Sequence, residues 1–186
     1  MPKRVNKSDK DENYGFKSLL GDIAKMAGGK KSPKLNFYVE AAKNLFSFSG
    51  FDQQVTRWFL TKALTNPNIA KSLFKIRGMI TEGNAETFLN FSLAVLIPSD
   101  NEISILLGVI SIGIVHKQFP IKGDHLKECR SEVKKLLIHE DSKVKDAATV
   151  ILELLGDSVV DKDSARAARK RLTQGGVDIS KVIKGK

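Results

Sequence analysis

One cysteine, one tryptophan, two tyrosines and three histidines leave this chain of 186 residues, otherwise aromatic only in its ten phenylalanines, little from which to build disulfides or histidine–cysteine metal centres. A lone Cys129 closes no internal disulfide, which fits a reducing compartment, the cytosol by default. His125 and Cys129 stand four apart and could share a helical face, but no second pair completes a four-ligand site, so no metal and no cofactor are expected. Ala27-Gly28-Gly29-Lys30-Lys31-Ser32 lacks the spacing of a phosphate-cradling loop. Nothing beside Cys129 or any serine marks an oxyanion hole or an orienting carboxylate, and an enzyme is not expected. Long apolar runs are missing too. The most apolar stretch, Ile103 to Val115, has 13 residues between Glu102 and His116. A membrane span needs ~20, so the run reads as a buried helix at the centre of the fold. The polar N-terminus, MPKRVNKSDK, carries no apolar signal segment.

What the chain does have is positive charge in two places. Residues 1–34 hold nine basic and four acidic residues, residues 35–161 hold 14 and 15, and residues 162–186 hold eight and two, making up the net +10. The body is neutral and the ends are basic, a distribution whose local fields attract polyanions such as nucleic acid or anionic lipid.

Helical spacing dominates and strand alternation is almost absent. Residues 1–15 have too little apolar surface to offset the entropy of ordering and read as a disordered basic arm. Phe16, Leu19, Leu20, Ile23, Met26 and Ala27 form one face of a short amphipathic helix, and Gly28-Gly29 with Lys30, Lys31, Pro33 and Lys34 make a basic linker up to residue 34. An all-helical body is expected over 35–161. Its elements include one with Val55, Phe59, Leu60 and Ala63, one opened by Pro67 and running to Gly78, and one carrying Phe88 to Leu96. The apolar run follows and ends at Pro120 and Gly123. Residues 162–186 read as a basic helix followed by a flexible tail from Gly175-Gly176.

Leu126 to Asp157 is more specific. Val133, Leu136, Leu137 and Ile138 line one helix, a polar turn follows at 139–142, and Val144, Ala147, Ala148, Ile151, Leu152 and Leu155 line the return. Asp141, Val144, Lys145, Ala147, Ala148, Leu155, Gly156 and Asp157 match the acidic turn, Val-basic-x-Ala-Ala and Leu-Gly-Asp pattern of a HEAT repeat, which the segment resembles. The resemblance covers one repeat and implies a stacked helical scaffold for binding. The expected fold class is all-α, either an irregular bundle or a short HEAT-like α-solenoid.

Candidate contacts follow from charge. Arg166, Arg169 and Lys170 fall at i, i+3 and i+4 with Arg171 on the flank, a stripe suited to successive phosphates and, counted along residues 162–186, uncompensated by acids. Lys3, Arg4, Lys7, Lys30, Lys31 and Lys34 supply the N-terminal set. Trp58, beside Arg57 and Lys62, is the ring to test for base stacking, with Phe74 beside Lys75 second; core packing is the competing role for each. The leading expectation is a non-enzymatic, largely sequence-independent nucleic-acid-binding protein, RNA ahead of DNA, in the style of a viral nucleocapsid or silencing suppressor. It is cytoplasmic, with the nucleus open to it through its basic ends, and the body is free to pair with a second copy. A HEAT-type protein adaptor is one alternative. A matrix-like protein that meets an anionic membrane or a partner groove through residues 16–27 is another.

Overall fold

A computed structural model describes residues 68–184, which lie within one compact unit spanning residues 66–186. The arm, the amphipathic segment 16–27, the linker, Trp58 and the N-terminal basic residues fall outside the described residues. Among those described, three quarters are helical and none is in a strand, so the fold is all-α.

Helix α1 (Ile69–Met79) starts where the Asn68 side chain accepts the Lys71 N–H at 3.0 Å. That places the start on Asn68, a good N-cap because its carbonyl oxygen satisfies a donor the helix leaves free. Asn84 stitches the following turn: its Oδ1 accepts from Thr81 N at 2.7 Å and its Nδ2 donates to the Met79 carbonyl at 3.0 Å. Helix α2 (Ala85–Phe91) then widens into a π-helical turn, Ser92–Leu96, closed by Ile97 N on the Ser92 carbonyl at 3.0 Å. The single regular helix expected over Phe88 to Leu96 is therefore two segments. Phe88, Leu89, Phe91, Leu93, Val95, Leu96 and Ile97 are all buried, too wide a set for one face of a regular helix.

Asn101 caps α3 (Glu102–Gln118) through Ile103 N and Ser104 N at 2.9 and 3.3 Å. Every residue from Ser104 to Val115 is buried, as the apolar run predicts. α3 packs against α1, α2, the π turn and the later helices Ser142–Leu154 and Ile179–Lys184, and so forms the axis of the domain. Two glycines make that crowding feasible. A β-carbon on Gly108 would sit 2.7 Å from Leu96 Cβ, and one on Gly113 would press on Ile151 Cδ1 and lie 3.2 Å from Ile183 Cδ1.

Helix α4 (Gly123–Lys135), a 3-10 turn (Leu136–Ile138) and α5 (Ser142–Leu154) form the hairpin read as HEAT-like. All of the matched side chains except Lys145 have a structural place here. Asp141 caps α5 through Val144 N at 2.8 Å; Val144, Ala147 and Ala148 are fully buried; Gly156 has φ +70°. Asp157 N reaches the Leu152 carbonyl at 2.9 Å and Gly156 N reaches Glu153 at 3.0 Å, the paired bonds of a Schellman stop. Two cations of α4 hold this end. Arg130 donates to the Leu155 and Gly156 carbonyls, and Lys134 Nζ lies 2.9 Å from Asp157 Oδ2. Positive charge at a helix C-terminus is favourable in itself.

α6 (Lys162–Gln174) and α7 (Ile179–Lys184) complete the domain. Here the expectations need correcting. The stretch beyond Gly175 read as a flexible tail is folded as far as Lys184: Val177, Ile179, Val182 and Ile183 are buried, and α7 packs on α1, α3 and α6. Gly175-Gly176 is a second Schellman stop, with Gly176 at φ +87° and Val177 N on Leu172 at 2.8 Å. No boundary separates residue 161 from 162, because α6 packs on α5. Contact between the last described helix and the first, around a central one, makes this an irregular bundle rather than an open stack of repeats, in which each unit meets only its neighbours.

Candidate nucleic-acid interface

The face that α6 offers to solvent is set by the face it buries. Ala165, Ala168 and Leu172 are fully buried or nearly so, at the i, i+3, i+7 spacing of one stripe. At 3.6 residues per turn, Arg169 and Arg171 project from opposite sides of that stripe, Lys162 lies on the Arg169 side, and Arg166 and Lys170, at i+4 and i+8 from it, turn progressively away from the stripe.

The two edge arginines are engaged with α5. Arg171 grips Asp146 with both arms of its fork, Nε to Oδ2 at 2.9 Å and Nη2 to Oδ1 at 2.6 Å, and the Asp146 side chain is only 11% exposed. Hydrogen bonds and charge from that carboxylate raise the Arg171 pKa above its ordinary value. Arg169 Nη2 lies 2.5 Å from Glu153 Oε2, both partners half-buried. The premise that the C-terminal charge has no compensating acids therefore fails at these two residues. Their acids sit 25 and 16 residues upstream on a neighbouring helix, out of reach of a count along the chain. Both arginines clamp α6 to the body.

Lys162, Arg166 and Lys170 remain, exposed and without a carboxylate in ion-pair range among the described residues. Sequence reasoning named Arg166 and Lys170 and missed Lys162. The signal that sets the phase was present in Ala165, Ala168 and Leu172, but alanines mark a buried face weakly. The row rises about 6 Å per step and about 12 Å overall. Residues 68–184 contain 18 basic and 15 acidic side chains, so these three equal the domain's whole excess. Lys181 and Lys184 are exposed on α7, and Lys143 borders a shallow groove of about 400 Å³ with Asn68, Ile69 and the Gly175–Val177 turn at the far end of α6.

No family model, curated protein or solved structure matches this chain.

Other candidate chemistry is dispersed. Cys129 is fully buried, and burial together with the nearby Glu128 charge pushes its thiol up to about 12, far from a nucleophilic thiolate. His125, four residues earlier, is exposed and lies 3.9 Å from Glu86 Oε1 instead. The two flank an apolar groove of about 230 Å³ formed by Ala85, Leu89, Val115, Phe119 and Ile121. Among the described residues no group of three or more His, Cys, Asp and Glu could hold a metal ion, and no helix is long and apolar enough to cross a membrane. Phe74, for which core packing was the competing expectation, is 42% exposed on α1, whereas Phe88 and Phe91 are buried.

Proposed function

We propose that this protein is a non-enzymatic nucleic-acid-binding protein that holds phosphate groups on the outward row of α6, with RNA ahead of DNA as its partner and the cytoplasm as its compartment. The observation that carries the reading is the row itself: Lys162, Arg166 and Lys170 stand exposed and outside any ion pair among the described residues, on a helix whose other cations are fixed in Arg169–Glu153 and Arg171–Asp146 pairs. A helix held in this way presents its charged side chains from a fixed backbone, so binding orders those side chains alone. The basic residues Lys3, Arg4, Lys7, Lys30, Lys31 and Lys34 add to the same electrostatic term, and binding through phosphates carries little base preference. The second expectation, a HEAT-type adaptor, keeps only the α4–α5 hairpin in its favour.

Salt-titrated filter binding of the full chain to RNA tests the reading. Affinity falls steeply with salt, and the Lys162→Ala/Arg166→Ala/Lys170→Ala variant binds more weakly with a shallower salt slope. A flat salt response refutes it. Point variants are the right tool, because removing residues 162–186 would strip buried Ala165, Ala168, Leu172, Val182 and Ile183 from the core.

A further inference from the structure

Resting on that reading, we infer that the α6 row takes the backbone of a double-stranded nucleic acid rather than a single strand. Single-strand binders pair cationic grooves with aromatic rings, and each stacked base contributes roughly one to two orders of magnitude in affinity. Among the described residues, α6 and the helices on either side of it in the chain offer no such ring. The last aromatic residue of the whole chain is Phe119, so α4, α5, α6 and α7 contain no Phe, Tyr or Trp at all. The most exposed ring among the described residues, Phe74, belongs to α1, which packs on α3 and α7.

Without stacking, discrimination falls to charge density and rigidity, and both favour the duplex. A duplex places a phosphate every ~1.7 Å along its axis, counting both strands, in fixed positions. The row is rigid on the same length scale: three cations over about 12 Å on one continuous helix, clamped by two arginine–carboxylate pairs. A single strand must surrender conformational freedom to lie along such a row and gains no stacked base in return. Lys181 and Lys184 of α7 are exposed as well and bring no ring. RNA and DNA duplexes share this chemistry, and the experiment separates them.

The full chain is titrated with a short duplex RNA, the duplex DNA of the same length, and either strand alone, each over a range of salt. Both duplexes are expected to bind about tenfold or more tighter than the single strands. For the duplexes, the slope of log affinity against log salt should fall by about 2.7 in the Lys162→Ala/Arg166→Ala/Lys170→Ala variant, three contacts at roughly 0.9 each. A control triple, Lys117→Ala/Lys122→Ala/Lys127→Ala, removes the same charge elsewhere and should leave most of the slope. Thermal melting of both variants confirms that they are folded. Single strands binding as tightly as duplexes, above all if Phe74→Ala abolishes it, overturn the duplex inference while leaving phosphate binding intact. Equal slopes in the two triple variants overturn the α6 siting. No salt-dependent binding to any of the four probes overturns the underlying reading instead.

Discussion

Replacing Gly108 with alanine sets two effects of similar size against each other, and the geometry of α3 decides between them. Alanine in a helix interior is favoured over glycine by about 1 kcal/mol. The new methyl would lie 2.7 Å from Leu96 Cβ, 3.3 Å from Ile97 Cγ1 and 3.4 Å from Ile97 N. Leu96 Cβ is attached directly to the backbone of the π turn, so no side-chain rotation relieves the contact and the turn itself must retreat. Overpacking of this kind costs about 1–3 kcal/mol, leaving a net loss of up to about 2 kcal/mol. Gly78 in α1 is the matched control: it is exposed, has no positive φ, and a β-carbon there meets nothing within 4 Å. Gly78→Ala should gain up to about 1 kcal/mol. In melts followed by circular dichroism the two variants should move in opposite directions, by a few degrees each, given about 2–8 °C per kcal/mol. Gly108→Ala melting at or above the wild-type temperature would refute the close approach of α3 and the π turn.

Three further outcomes follow from the ion pairs and the buried thiol. Burial alone would raise the Asp157 pKa, but the Lys134 ammonium and the Val159 N–H outweigh it and hold the carboxylate below its usual range. Its stabilisation is therefore complete above the unfolded-state pKa of about 3.9 and is lost as pH falls through the lower folded value. Asp157→Asn should cost about 1.5–3 kcal/mol at neutral pH, and the gap to wild type in urea melts should shrink as pH falls below the unfolded-state value; a constant difference across pH would contradict this. Arg171→Ala should lower the melting temperature by leaving the Asp146 carboxylate unpaired, with little change in salt slope, whereas Arg166→Ala should change the slope and not the melt; the reverse pattern would remove α6's division into clamp and row. Cys129 should resist an aromatic disulfide reagent at mildly alkaline pH and react fully in denaturant, and rapid labelling of the folded chain would contradict its burial.

Sequence patterns carried the one-dimensional part of this architecture. The Ile103–Val115 run announced the central helix because only a helix buried all round tolerates apolar residues without periodicity. Asp141, Ala147, Ala148 and Gly156 announced the hairpin because capping, close packing and a left-handed stop each demand particular residue types. What stayed hidden depends on neighbours distant along the chain. Nothing around Arg169 or Arg171 points to Glu153 or Asp146, and nothing around Arg130 says that the end of α5 lies beside it. The folded state of residues 177–184 was hidden for another reason. A helix of six residues after a double glycine resembles a tail by composition, and only its packing on α1, α3 and α6, with Ile183 beside Gly113, buries its apolar side chains.

The packing of α7 on α3 bears on how the protein is made. Gly113 and its surroundings face Ile183, which leaves the ribosome 70 residues later. Until then the most apolar helix of the chain is synthesised, and can be helical, with part of its surface uncovered. Closure of the domain is thus an event of the completed segment rather than of the growing one. The nascent chain passes through a stage in which α3 is open to chaperones or to a second nascent chain, and a ribosome stalled before residue 179 would hold it there.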